Sequence, residues 1–425
     1  MFVWHFCSRY SVLLLLFSAT VSAQTLTAMS TIEPSVSHQD PIEFDPSLTL
    51  AKVVDLTLEK HPDRHWLQAL EDEAAALAKR SKSWTAGASQ AGLRFQEATS
   101  GTLHYVDATV QVPLWNIGQR DAERSFADQA ETSAELQILS SKLRVAGLVR
   151  GALWDMELQK IRYEQSKADL DMFVQLLNKV ARRVELGDLP PADILLAKTE
   201  ILQKKAIVTM AEAELMHARK RYNSITQSAK APANFIEELT PLTEIKQNHP
   251  ALVAISSQIE RKQAELKTVK LIGSGQNNVA VGINSDRPSN NDPRSNKTES
   301  FNIAVNVPFG GEAHLAPHLA AINVEVNRLI AEREQLLRDL EQAHHEAEHN
   351  LEVNQAEKVI ADELKQVAEQ SLEMTELSFS VGEIDLLDLL KIQARTQQAV
   401  LNAKERDVIL QRDKAIYNQA VGVLP

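Results

Sequence analysis

The segment 186-LGDLPPADILLAK-198 decides how the rest of the chain is read. No proline occurs from Leu114 to Leu189, and no glycine from Asp188 to Ile272. Gly187, Pro190 and Pro191 then fall within five residues. Glycine suits the left-handed backbone that ends a helix, and proline suits the first turn of the next one. The pattern predicts a helix from about Ile117 to Glu185, a sharp tip at 186–191, and a second helix from Ala192 to about Ile225. At ~1.5 Å per residue the first helix is on the order of 100 Å long. No single globular domain needs such a rod.

The tip has an echo. Gly187-Asp188-x4-Asp193 matches Gly382-Glu383-x4-Asp388, and Val112-Pro113 matches Val307-Pro308, both at an offset of 195 residues. Two features sharing one offset, within the same order of elements, mark a tandem duplication. The first repeat spans 47–226: a helical stretch with Ser47 as N-cap and a break at His61-Pro62, a β-hairpin at 84–113, the long helix, the tip and the return helix. The second spans 248–425: a helix after His249-Pro250, a hairpin at 276–308, a proline-free helical run from His318 to about Ser380, a tip at 381–385 and a last helix to about Ala420. A less regular connector, 227–247, joins them, and 24–46 reads as an extended polar tail.

The hairpins alternate with period two. In 104-HYVDATVQVP-113, Val106, Ala108, Val110 and Val112 oppose Tyr105, Asp107, Thr109 and Gln111. Phe301, Ile303, Val305 and Val307 form the matching apolar row in the second repeat. Each strand therefore has one apolar and one polar face. The loops are 99-TSG-101 and the polar stretch 287–298. Four such strands cannot close a lipid-exposed barrel, since small membrane barrels begin at about eight. Several copies of the chain sharing one barrel is the simplest solution. Trp84, Trp115 and Phe309 at the helix-proximal strand ends, with Phe95, Tyr105 and Phe301 nearer the loops, resemble two interfacial girdles. A soluble sandwich is the competing reading, but two hairpins offer it little area.

Residues 1–23 read as a secretory signal, with an apolar core Val12–Phe17 and Val21-Ser22-Ala23 before the cleavage point. Cys7, the single cysteine, falls inside it, which leaves the mature chain without thiol, disulfide or cysteine-based metal chemistry. Cys7 also precedes the apolar core, so it cannot become a lipidated first residue. No later run reaches the length of a transmembrane helix. The net charge of -12 argues against nucleic acid as a partner. Aromatics at 5% are thin for several compact cores, and long segments rich in Gln, Glu, Ala, Leu and Lys suit helices packed through a narrow seam. One such seam is Leu319, Ile322, Val326, Leu329, Leu336, Leu340, Ala343 and Ala347, with Arg333 filling its gap.

The tandem repeat, the hairpins ending Val-Pro-(Leu/Phe) before a long helix, and 380-SVGEIDLLDLL-390 with its counterpart 187-GDLPPADIL-195 resemble the TolC family of bacterial outer-membrane efflux proteins. The resemblance covers nearly the whole mature length. It implies a mainly α chain with a β membrane part: a homotrimer with a twelve-stranded outer-membrane β-barrel on a periplasmic α-helical barrel. It further implies no cofactor, no enzymatic activity, and a passive exit channel working with a periplasmic adaptor and an inner-membrane transporter. Metal cations lead as cargo because of the acidic excess, small organic compounds come next, and a soluble periplasmic coiled-coil scaffold is the alternative. Gly187, Asp193, Gly382 and Asp388 are the candidate tip residues, for adaptor contact or gating.

One motif points elsewhere. The stretch 345-HEAEH-349 matches the H-E-x-x-H zinc signature, with Glu369 twenty residues on. On one helix that is ~30 Å, whereas zinc ligands lie about 2 Å from the metal. No metal site is assigned. His345 and His349, with His344, Glu341 or Glu348, could still touch a metal loosely; a solvated polar face is the plainer reading.

Overall fold

A computed structural model describes residues 41–97, 99, 104–287 and 297–425. The signal segment, most of the tail and both hairpin loops lie outside the described residues. The elements in order are β1 (Glu43–Asp45), α1 (Leu50–Lys60), α2 (Asp63–Ser81), β2 (Gln90–Glu97), β3 (His104–Leu114), α3 (Gln119–Glu185), α4 (Ala192–Thr226), β4 (Lys230–Pro232), α5 (Pro250–Ile272), β5 (Asn277–Arg287), β6 (Thr298–Asn306), α6 (Glu312–Ser380) and α7 (Leu386–Ala420).

Packing partners give the helices a simple order. Toward the sheet, α2 packs on α3, α3 on α5, and α5 on α6. Toward the tips, α4 packs on α3, α3 on α7, and α7 on α6. The result is one layer four columns wide. Two columns are single long helices, α3 and α6, and two are assembled from stacked pieces, α2 with α4 and α5 with α7. The duplication thus explains the layer: each repeat contributes one unbroken and one divided column.

Three boundaries differ from the sequence reading. Thr49, not Ser47, caps α1, its hydroxyl accepting from Lys52 N–H at 3.2 Å; Ser47 instead folds onto Asp45, with its N–H at 2.9 Å from Oδ1. Tail and connector are not wholly irregular, because β1 and β4 pair in parallel, Glu43 with Lys230 through Asp45 with Pro232. Helix α6 starts at Glu312 and carries Pro317 inside its second turn. Pro317 withholds one intrahelical N–H, the one that would face the Ala313 carbonyl, yet the helix runs through it, so α6 begins six residues before the expected start at His318.

The main core surrounds the middle of α3. Val145, Ala146, Val149, Leu153 and Trp154 pack against α1, α4, α7 and the connector, with Trp154 meeting Phe235 edge-on at 4.7 Å. Arg150 sits beside it, 2% exposed. Its guanidinium donates to both Glu237 carboxylate oxygens (2.8 and 2.6 Å), to Gln419 Oε1 (2.6 Å) and to the Val423 carbonyl (3.1 Å). One side chain on α3 therefore clamps both the connector and the C-terminal end. The α6 seam is occupied as its spacing predicts: Ile322, Val326 and Leu329 pack on α5, and Arg333 donates to Ser256 Oγ at 2.8 Å. Ala343 alone among the small seam positions stays exposed.

Candidate functional site

Two regions carry the functional reading: the sheet and the helix tips. All four strands pair antiparallel in the order β2-β3-β5-β6, so β3 and β5 join the two repeats. Directly opposed residues share a face. The registers Ala91–Val110–Val281–Ile303 and Leu93–Ala108–Ile283–Phe301 therefore build one continuous apolar face across both hairpins. The alternate rows, such as Arg94–Asp107–Asn284–Ser300, build a polar one.

Burial on the two faces is the reverse of a soluble sheet. Leu93, Phe95, Ile283, Phe301, Ile303 and Val305 are all more than 60% exposed, while Asp107 on the polar face is 9% exposed. Curvature is the cause. A Cβ on Gly282 would stand 2.7 Å from Thr109 Cγ2 and 2.8 Å from Asn302 Oδ1. Polar side chains thus converge on the concave side, and glycine is needed for the close approach. No second sheet covers the apolar side among the described residues. Strands of 8 to 11 residues suit a tilted bilayer crossing. Among the described residues, no helix is long and apolar enough to cross a membrane. Tyr105 stands opposite Gln96 and Asp286 on the polar face, so the loop-side girdle reduces to Phe95 and Phe301.

At the other end both tips close with the same hydrogen bonds. Gly187 N–H donates to Val184 O (3.0 Å) and Asp188 N–H to Arg183 O (2.9 Å); Gly382 donates to Phe379 O (3.1 Å) and Glu383 to Ser378 O (2.9 Å). These are Schellman closures, repeated at the offset of 195. The φ angles are +84° and +83°, and nothing lies within 4 Å of a Cβ at either glycine. Glycine is required there for backbone conformation and not for space.

The following turns differ. Asp385 caps α7, its Oδ1 accepting from Asp388 N–H at 2.8 Å, and Asp388 pairs with Lys391 at 3.1 Å. Pro190 occupies the matching place in the first tip, and α4 has no side-chain cap. Asp193 N–H instead bonds Pro190 O at 3.0 Å. Both aspartates lie in a first helical turn, where a carboxylate is favoured by ~0.3–1 kcal/mol. Phe173, Val180, Phe379, Leu386 and Leu389 form a shared core behind the tips. Arg183 ties the two together: it donates to the Phe379 carbonyl at 2.8 Å and lies 4.9 Å from that ring's centre.

Some residues escaped the sequence reading. Val353, Ile360, Val367 and Met374 along α6, with Val381 at its C-cap, recur every seven residues and are exposed, as are Leu195, Leu202 and Met210 on α4. Columns α4 and α6 are the two edges of the layer. Its edges therefore carry coiled-coil seams with no partner in the single chain. The heptad spacing was readable; what hid it was the stronger α6 seam that pairs within the chain.

The histidines divide. His344 faces α7, its Nε2 3.2 Å from Tyr417 Oη, which in turn donates to Leu242 O at 2.8 Å. His345 and His349 are exposed, with ring centres 6.4 Å apart. Glu369 lies on the same unbroken helix, ~30 Å along it.

No protein-family model matches the chain, and no curated protein sequence matches it significantly. Solved structures match over nearly all of its length. CusC, described in terms of folding and transmembrane channel formation, superposes with a TM-score of 0.69 at 10% identity, over 88% of this chain and 92% of that one. The outer membrane protein VceC of Vibrio cholerae gives 0.66 at 14%, over 88% and 97%. The open state of the MtrE outer membrane channel of Neisseria gonorrhoeae gives 0.66 at 14%, over 92% and 93%. This chain has the fold of the bacterial outer-membrane channels. Identities this low establish the fold alone. The outer-membrane-channel fold agrees with the family resemblance drawn from the repeat and tip motifs, and it assigns no chemistry to the histidines.

Proposed function

We propose that three copies of this chain form the outer-membrane exit channel of a tripartite efflux system in a Gram-negative bacterium. The observation that carries the reading is the uncovered apolar face of the four-stranded sheet, with its polar face turned to the concave side. Lipid is the solvent that suits the first, and a water-filled lumen suits the second. Four strands leave open edges, and three copies bring twelve. The apolar stripes on α4 and α6 support the same closure, since the α6 edge of one copy can seat on the α4 edge of the next until the ring completes.

The tips then lie at the periplasmic end, about 100 Å of helix from the sheet. There Gly187 and Gly382 hold the two turns, and Asp193 and Asp388 sit beside them as adaptor contacts or part of a gate. The cargo reading puts cations first, from the acidic excess alone, and small organic compounds second. The reaction is conduction, without bond chemistry. A deletion strain tested against a panel of metals and drugs supplies the experiment. Restored resistance from the wild-type gene, and none from Gly382→Val despite intact trimers in the outer-membrane fraction, supports the reading. A protein that stays in the soluble periplasmic fraction without detergent would instead be a coiled-coil scaffold.

A further inference from the structure

We propose that His345 and His349 form a two-histidine chelate for a borderline divalent transition metal, Cu²⁺ or Ni²⁺ before Zn²⁺, on the face of α6. The pair stands one helical turn apart, on the same side of an unbroken helix. Both imidazoles are exposed, their ring planes are 18° from parallel, and their centres are 6.4 Å apart. Neither has a hydrogen-bond or ion-pair partner among the described residues. No other pair of histidine rings stacks among the described residues. His344 next door is excluded, because it is half-buried and bonded to Tyr417.

Distance decides whether two rings can share one ion. Imidazole nitrogen binds at about 2.0–2.1 Å, which puts each ring centre roughly 3.2 Å from the metal. Two rings on one ion are then about 5 Å apart in tetrahedral geometry and roughly 6.4 Å apart when opposed. The observed separation is at the open end of that range, and two unencumbered side chains close the rest by small χ rotations. No group of three His, Cys, Asp or Glu side chains stands together as a metal cluster among the described residues. The pair therefore supplies two ligands, and water completes the coordination. Glu341, one turn before His345, and Glu352, one turn after His349, are exposed on the same face and raise the local cation concentration. Two imidazoles favour metals in the order Ni²⁺ < Cu²⁺ > Zn²⁺, and they discriminate against Mg²⁺ and Ca²⁺, which prefer oxygen. The inference rests on the helix face alone and does not depend on the channel reading.

The test uses the full chain, purified in detergent without a histidine tag and stripped with chelator. His314 and His318 are also four apart on α6, so His314→Ala/His318→Ala forms the background. Titration with Ni²⁺, and then Cu²⁺, is followed by calorimetry. The expected result is one site per chain that weakens about 10–100-fold in His345→Ala and equally in His349→Ala, while His344→Ala leaves it unchanged. Both substitutions are on an exposed helix face, and unchanged circular dichroism confirms folding. An isotherm the same in His345→Ala and His349→Ala as in the background protein overturns the proposal, as does loss of the site in His344→Ala alone.

Discussion

Three glycines share one backbone conformation in two different settings, and this allows conformation to be separated from packing. Gly187, Gly382 and Gly422 have φ of +84°, +83° and +85°. A Cβ at the first two meets nothing within 4 Å. At Gly422 it would stand 2.5 Å from His249 Cδ2 and 2.8 Å from Pro250 Cδ. Alanine at either tip therefore costs only the left-handed backbone, about 1–2 kcal/mol. Alanine at 422 adds an overlap of ~1 Å against a normal carbon contact, which displaces the start of α5 and costs a further 1–3 kcal/mol or so. The assay is thermal unfolding of the purified protein in detergent, read as a shift in midpoint because such an assembly does not unfold in two states. Gly422→Ala is expected to lower the midpoint clearly more than Gly382→Ala. At the tip Gly382→Asn, which tolerates the left-handed region, should be milder than Gly382→Ala, and Gly382→Val worst. Equal midpoints for Gly422→Ala and Gly382→Ala would refute the packing argument. An Asn variant as damaging to export as Val would refute the conformational one and point to a partner that needs bare backbone at the tip.

Other outcomes follow from single contacts. Arg150→Met leaves the Glu237 carboxylate, the Gln419 amide and the Val423 carbonyl without their donor, at a cost of roughly 3–5 kcal/mol; Arg150→Met/Glu237→Leu should recover part of it, and a double variant no better than the single in protease resistance would refute this account. His249 is 3% exposed, and burial holds its pKa below the ordinary value, outweighing a nearby Ala420 backbone carbonyl that acts the other way. The unfolded chain then binds the proton first, so stability is complete above about pH 6.5 and falls as pH drops through the interval below it. His249→Asn should flatten that slope in unfolding midpoints measured from pH 7.5 to 5. Val367→Asp, placed on the exposed α6 edge stripe, should leave helix content unchanged and shift detergent-solubilised protein from the proposed trimer to monomer on a sizing column.

Much of this was legible because duplication writes each signal twice. The tip could be placed from Gly187 and its echo at Gly382, and the strands from alternation at Val106–Val112 and Phe301–Val307. What remained hidden was pairwise. Gln227, the described non-glycine residue with positive φ (+50°), lies 195 before Gly422 and occupies the same left-handed position. A glutamine gives no sign of that; only the repeat offset does. Similarly, the histidines of the two His-Pro breaks each accept a backbone N–H through Nδ1 at 3.2 Å, from Asp63 and from Ala251, a shared cap that His-Pro spacing hinted at without specifying the bond. The β1–β4 pairing joins residues 187 apart in a stretch with no alternation to read. The Arg150 clamp depends on the connector and the C-terminal end arriving at one point on α3, which no local pattern encodes.

The divided columns have a consequence for assembly. A folded single copy would face water with a greasy sheet on one side and two sticky helix edges, so every second spent alone carries an aggregation hazard. In the proposed ring, each edge seats on the opposite edge of another copy. Such head-to-tail contacts end harmlessly only when the rotation between neighbours brings the last copy back to the first; otherwise they propagate as a filament. In the proposed channel, the angle at the α4–α6 edge would govern more than the width of a pore. It separates a finished product from a polymer, and substitutions that alter it should appear first as failed biogenesis, before any change in transport.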